Sequence, residues 1–499
     1  MTAAYFLAKD TDIRPIVLEK EAFTGGIART FCYKGNRMDI GGHRFFTKDE
    51  QVKALWQELM PLQGALSIDD RLLGRQVPLE TGGPDPDKSD HVMLQRERIS
   101  RIRYRHQFFS YPLSLGWDTV HKLGWPSLWR MSKGYIKARV APRPEQSLAD
   151  FMINRFGEPL YATFFRDYTT KVWGRAPEHI AADWGAQRIK SLSLGRAVAD
   201  YIRRKWKPSA KAQDTSLIRH FWYPKHGPGQ LWETMEQKIV CHGGIVRHHA
   251  QVISLEGNGE HHIKNVRIRE NGVEQQLDAD FVLSSMPVAE LVPSVYGEEC
   301  PSAVLETAEK LPYRDFMTVG LLVRRLSVRS DGRRNIVPDC WIYVQEPDVK
   351  MGRIQIFNNW SPYLVKDPDH TVWLGLEYFC QQGDAMWNMS DAEFLSLATE
   401  ELVKMGIIQR EDVLDGVCLR VPKAYPAYFD SYEKFPLVQN WLMQFDNLYC
   451  IGRNGQHRYN NMDHSMLTAM QAVKLIQNQE KSQQALWSVN TERNYQEKK

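Results

Sequence analysis

A short apolar run that meets glycines and then a helical pattern constrains a backbone more than any other local signal in this chain. It lies near the far end. Residues 448–451 (LYCI) predict a buried strand, Gly452-Arg453-Asn454-Gly455 a turn, and residues 464–477 (HSMLTAMQAVKLIQ) a helix with apolar side chains at helical spacing. Strand, glycine turn and helix N-terminus together present backbone N–H groups, which suit a phosphate or an electron-rich ring oxygen. By itself such a pattern is more often scaffold than site. The rest of the chain has to supply a reason for it.

At 499 residues the chain is too long for one core and predicts two or three lobes. A hydrophobic fraction of 43% with 15 Trp predicts a globular, well-buried protein. Lys+Arg at 64 against Asp+Glu at 60 gives +4, too balanced for a nucleic-acid binder. The bias is local instead, at 96–105 (RERISRIRYR) and 202–211 (IRRKWKPSAK), and fits an anionic small molecule or a membrane surface. The 7 cysteines are scattered without C-x-x-C or Cys/His ligand spacing, which argues against a disulfide framework or a metal site and favours the cytoplasm. No apolar run reaches about 18 residues, so no transmembrane segment is expected. Residues 117–140 mix Trp125, Leu128, Trp129 and Tyr135 with Lys133, Lys137 and Arg139. That mixture allows peripheral contact with a membrane, although core packing is the expected use of it.

The N-terminus opens on residues 2–8 (TAAYFLA), a helix body without a cap, and continues into residues 15–18 (PIVL), a strand ending at Glu19. An acid closing a second parallel strand is where dinucleotide folds hold a ribose hydroxyl. The first strand and its G-x-G-x-x-G turn are missing. One expectation is that Met1 corresponds to a position just after such a loop. The other is an unrelated terminal helix, with Glu19 a solvated strand end. Gly25-Gly26-Ile27-Ala28-Arg29-Thr30 follows, where two glycines admit backbone close to a pyrophosphate and Arg29 can neutralise it. Met38-Asp39-Ile40-Gly41-Gly42-His43 repeats the theme, and Thr47 with Glu50 reads as a capping box for a helix over 49–60.

Glu19, Gly25-Gly26, the Gly41-Gly42-His43 turn and Gly452-Arg453 with Tyr459 and Met462-Asp463 together resemble the FAD-binding core of the amine oxidase superfamily. Within it the chain looks most like the UDP-galactopyranose mutases and their relatives. The resemblance implies an α/β fold: a discontinuous Rossmann-like FAD-binding domain with inserted helical and antiparallel β substrate lobes. The FAD domain would comprise residues 1–60, 215–290 and 440–479, the helical lobe 61–214, the β lobe 291–439, and a polar, frayed tail 480–499.

Inside those lobes, Arg101, Arg103 and Arg105 alternate with Ile102 and Tyr104 and predict a strand with the arginines on its wet face. Ser147 and Asp150 predict a capped helix over 147–156 closed by Gly157. A helix is expected over 231–240, a hairpin over 245–255 and 262–269, and β-rich runs at 317–323, 341–344, 353–357 and 371–379.

The resemblance also implies a site. Glu19, Gly25, Gly26, Arg29, Gly41, Gly42, Gly452, Arg453, Tyr459, Met462 and Asp463 would bind FAD, with His43 against its ring. Trp173, delivered to a loop, and Tyr425 would contact the substrate, and Arg188 and Arg314 would face a diphosphate. In such mutases the N5 of reduced FAD attacks the anomeric carbon of a nucleotide hexose, the nucleoside diphosphate leaves, and the sugar recloses with the other ring size. The implied partner is an anionic nucleotide sugar. The mutases commonly carry a second histidine near the ring, whereas this chain reads His43-Arg44-Phe45-Phe46. Two other readings stay open: an FAD-dependent oxidoreductase of the amine oxidase, protoporphyrinogen oxidase or desaturase type, and a truncated non-catalytic remnant.

Overall fold

The computed structural model describes residues 1–111, 117–180, 182, 220–328 and 336–490. Its opening residues form the helix Thr2–Asp10, which buries Ala3, Ala4, Tyr5 and Leu7. The small alanines let it lie closely against helices Gly229–Cys241 and Met462–Gln477. Tyr5, Trp56, Leu231, Met235 and Met466 therefore share one core. The start, the middle and the far end of the chain are thus joined by apolar burial.

Parallel ladders lie beside that core. Strand Ile16–Leu18 pairs with Ile245–Arg247, and Val282–Ser284 pairs with Leu448–Cys450. Parallel neighbours need a crossover between them, and here the crossovers are whole lobes, which makes the α/β domain discontinuous in sequence. Among the described residues the four strands form two separate ladders. The hairpin expected over 245–255 is divided. His249, with φ +55°, breaks the run, so Ile245–Arg247 joins a parallel ladder while Ala250–Gly257 pairs antiparallel with Ile263–Glu270.

A seven-stranded sheet accompanies these ladders. Its strands lie in the order Val413–Pro426, Tyr313–Val323, Val372–Cys380, Arg353–Ile356, Trp341–Val344, Ser100–Tyr104 and Gln107–Ser110. Every pairing is antiparallel except that of Trp341–Val344 with Ser100–Tyr104. Strand Val413–Pro426 has no clean alternation, because Asp415, Gly416 and Pro422 interrupt it. Pairing with Tyr313–Val323 holds it in place, with register shifts at Arg314/Phe316 and Leu322/Val323.

Several local expectations change under tertiary packing. Arg101 and Arg103 do not form a wet face. Arg101 bonds Asp339 (Nε to Oδ1 2.9 Å), and Arg103, itself buried, donates to Met405 O at 2.6 Å. Asp49, rather than Thr47, caps helix Glu50–Leu59 through Val52 N (3.0 Å), while Thr47 Oγ1 accepts from Asp49 N (3.1 Å). Helix Leu148–Phe156 opens on the expected Ser147/Asp150 capping box and ends at Gly157. Core packing is not what residues 125–140 do: they form the helix Trp125–Val140, in which only Ala138 is buried. Among the described residues no helix is long and apolar enough to cross a membrane.

Candidate active site

Strand Asn36–Asp39 ends at a buried carboxyl. Asp39 accepts a hydrogen bond from Tyr223 Oη (2.8 Å), and burial holds its pKa well above the usual carboxylate range. The chain then turns at Gly41 (φ +93°) and presents His43. Burial drives the His43 pKa down to about 3, with the charges of Arg453 and Arg353 adding to the effect. The imidazole is therefore neutral near pH 7. The Arg453 charge is felt at His43, so the turn at residue 452 lies within electrostatic range of the turn at residue 41.

The second turn is a single helical turn, Gly452–Gly455, set between strand Leu448–Cys450 and helix Met462–Gln477. A Cβ at Gly455 would stand 2.5 Å from Ser284 O, so glycine is required there. The donors of this turn are fewer than the sequence suggests, because Gly452 N–H is given to Thr468 Oγ1 at 2.8 Å. Arg453 is fixed by Asn460 O (2.9 Å) and Ala424 O (3.1 Å). Its guanidinium stands 4.8 Å from the Tyr459 ring and 5.4 Å from the Tyr425 ring. Those two rings stack with centroids 5.6 Å apart and planes at 15°.

Tyr425 faces Arg314 across the ladder between Val413–Pro426 and Tyr313–Val323. Arg314 donates to Val172 O (3.1 Å) and Phe379 O (3.0 Å), which aims it along the end of helix Arg166–Trp173. Gly174 follows that helix at φ +67°, where a Cβ would lie 2.7 Å from the Arg314 guanidinium. Trp173 is the last residue of the helix rather than part of a loop. It is buried among Phe151, Phe156 and Phe164, with its ring centroid 6.5 Å from that of Tyr459. His43, Arg314, Tyr425, Arg453 and Tyr459 each keep partial solvent contact, as the walls of a recess do.

Sequence reasoning missed Arg353 and Glu377. Glu377 is fully buried in the apolar strand Val372–Cys380, where Gln355 Nε2 (2.7 Å) and Arg353 Nη1 (3.0 Å) bond it. Arg353 stands 5.5 Å from the Tyr343 ring and acts electrostatically on His43 and Tyr425. The signal was present. A lone acid inside VWLGLEYFC calls for a cation or a hydrogen-bond donor when buried, and Arg353 opens the neighbouring strand.

Toward the N-terminus, Glu19 closes strand Ile16–Leu18, and its carboxylate acts on the Met1 amine. Gly25 (φ +102°) has Trp232 2.5 Å from where a Cβ would be, whereas at Gly26 (φ +57°) nothing lies within 4 Å. Arg29 stacks over Phe23 at 5.0 Å, and it lines a cleft of about 350 Å³ with Thr30, Arg37 and Glu233. Met462 packs on the N-terminal core, and Asp463 is buried in the first turn of its helix. Arg29 Nε, His43 Nδ1, Asn454 Oδ1 and Asn460 Nδ2 are buried without a hydrogen-bond partner. Polar atoms of this kind mark a site that a polar ligand completes. Open glycine backbone at Gly26, the acid Glu19 at a strand end and the unpaired Arg29 Nε are compatible with a flavin dinucleotide. Arg188 lies outside the described residues.

A sequence model for flavin-containing amine oxidoreductases matches residues 1–472. The chain belongs to that family. Its members are flavoproteins, and FAD is the cofactor of this flavin-dependent enzyme fold. Among solved structures, a reduced UDP-galactopyranose mutase superposes with a TM-score of 0.75 at 18% identity, over 99% of this chain and 95% of that one. An Exiguobacterium sp. 255-15 protein assigned as a protoporphyrinogen oxidase gives 0.65 at 14%, over 96% of both chains. A putrescine oxidase variant gives 0.59 at 12%, also over 96% of both. At these identities the likeness establishes the shared fold of the family, with its mixed α/β architecture.

Proposed function

We propose that this enzyme interconverts the pyranose and furanose forms of a nucleotide-linked hexose with FAD in its reduced state. The observation that carries the reading is charge: Arg453 stands 5.4 Å from the Tyr425 ring and 4.8 Å from that of Tyr459, Arg314 pairs with Tyr425 across the ladder, and the charge of Arg353 is offset by Glu377. A cationic wall favours an anionic substrate and repels an ammonium or diammonium ion. That argues against an amine oxidase role for the site. The UDP-galactopyranose mutase that shares the fold acts, by its name, on such an anionic sugar.

Bound and reduced, FAD supplies the electron-rich centre that the sugar carbon requires while its ring is open. The protein's part is positional and electrostatic. Arg314, anchored by two carbonyls, keeps guanidinium N–H groups for a leaving diphosphate, and Arg188 is its proposed partner. Tyr425 Oη is the donor to a phosphate oxygen, with Trp173 behind the stacked tyrosines as an apolar stop. Neutral His43 offers its unpartnered Nδ1 to the cofactor ring.

The test is anaerobic incubation of dithionite-reduced protein with UDP-galactopyranose and UDP-glucopyranose, with products separated by chromatography. Furanose formed without consumption of an electron acceptor supports the proposal. Turnover that requires O₂ or another acceptor, or turnover of amines or porphyrinogens instead, would overturn it.

A further inference from the structure

Helix Trp125–Val140 departs from the rest of the molecule in how it spends its apolar side chains. Trp125 is 68% exposed, Trp129 66%, Ile136 62% and Val140 81%. At about 100° per residue these four fall within roughly 60° of one another, a single outward stripe. Cations border it. Arg139 lies on one flank, and Lys133, Lys137 and Arg130 follow on the other. The helix WPSLWRMSKGYIKARV contains no acid at all. Glu158 and Glu145, in the segment that follows, are paired with Arg143 and Arg155.

The opposite side of the helix is firmly seated. Gly134 abuts Pro159, where a Cβ would stand 2.3 Å from the proline ring, and Ala138 is buried. The stripe is therefore held outward by packing and does not result from a loose element. An apolar stripe with tryptophans, flanked by Lys and Arg and free of acids, is the composition that partitions into the headgroup boundary of a bilayer. Lys133 already sits 5.3 Å from the Trp129 ring, which shields the indole face while leaving the ammonium free for a phosphate.

We propose that helix Trp125–Val140 docks this enzyme onto an anionic lipid surface, lying in the interfacial plane with Trp125, Trp129, Ile136 and Val140 inserted at headgroup depth. The charge sign selects the lipid. Four cations that no acid among the described residues pairs in a salt bridge favour anionic over zwitterionic headgroups, and salt weakens the contact.

The test is co-sedimentation of the FAD-loaded full chain with phosphatidylcholine vesicles, with and without phosphatidylglycerol, at low and high salt. Binding to the anionic vesicles alone, weakened by salt, is expected. The exposed-site variants W125A/W129A and K133E/K137E should each weaken it about tenfold while leaving the flavin spectrum and the melting temperature unchanged. Equal partitioning by the W125A/W129A variant and the unsubstituted protein would overturn the proposal. So would self-association, abolished by W125A/W129A, without vesicle binding, because the stripe would then belong to a second copy. Binding to neither vesicle, with no self-association, would assign the stripe to a contact within the chain and equally overturn it.

Discussion

Arg314 and Tyr425 are cross-strand partners, and the register shift that follows Arg314 leaves both at the edge of one recess. Arg314 spends two N–H groups on Val172 O and Phe379 O. Lysine cannot hold those anchors and face a diphosphate together, so Arg314→Lys should lower kcat/KM for a nucleotide sugar by about 10²-fold. Tyr425→Phe keeps the ring stacked on Tyr459 and should lose only about tenfold. Kinetics of the two variants, compared with their melting temperatures, check the pair. A Tyr425→Phe variant with full activity would remove the hydroxyl from the proposed phosphate contact.

Buried Glu377 and half-buried Arg353 form an ion pair within the sheet. Glu377→Leu leaves the guanidinium without its counter-charge and should cost about 3–5 kcal/mol in urea unfolding. Adding Arg353→Met should recover most of that stability, because no uncompensated charge is then left in the sheet. If the double variant is no more stable than the single one, the pair is not the reason for the loss.

His457 is buried, and burial brings its pKa down to about 4 from the ordinary 6.5, while its Nε2 lies 3.2 Å from Ala427 O. The folded chain therefore binds this proton less readily than the unfolded one, so stability rises with pH between these two values. Lowering the pH from about 6.5 toward about 4 should remove up to about 3 kcal/mol through this residue. His43, held at about 3, acts in the same direction. Buried Asp39, held above the usual carboxylate range, acts in the opposite direction, so the histidine contribution is read as the difference in urea midpoints between the unsubstituted protein and a His457 variant across that range. His457→Asn, which tolerates the φ of +44° found there, should flatten the slope.

Gly25 combines a left-handed backbone with Trp232 2.5 Å from the position of a Cβ. Gly25→Ala should cost about 1–3 kcal/mol and lower the flavin content of the purified protein, read as the ratio of visible to ultraviolet absorbance. Gly26→Ala meets no neighbour at that position and should retain more flavin.

Much of the fold was readable in order along the chain. β-rich composition placed strand Trp341–Val344 to the residue, and Ser147, Asp150 and Gly157 bounded their helix, because propensity and caps are local physics. The glycine turns were readable for the same reason. Strand Val413–Pro426 was not, since Gly416 and Pro422 hide its period until Tyr313–Val323 supplies the hydrogen bonds. The wet-face reading of Arg101 and Arg103 failed because Asp339 and Met405 arrive from residues far along the chain.

The amino-acid sequence by itself determined two distant glycine turns, because φ > 0 and bare backbone are properties glycine carries with it, and it linked them to a flavin only through the resemblance to the amine oxidase superfamily. Only the tertiary structure decided the character of the recess. Arg353 reaches His43 and Tyr425 through strand order, Gly452 gives its amide to Thr468, and helix Trp125–Val140 turns its tryptophans outward through the seat of Gly134 on Pro159. Charge, donors and exposure depend on what stands opposite a residue, and that is fixed by packing between separate segments of the chain.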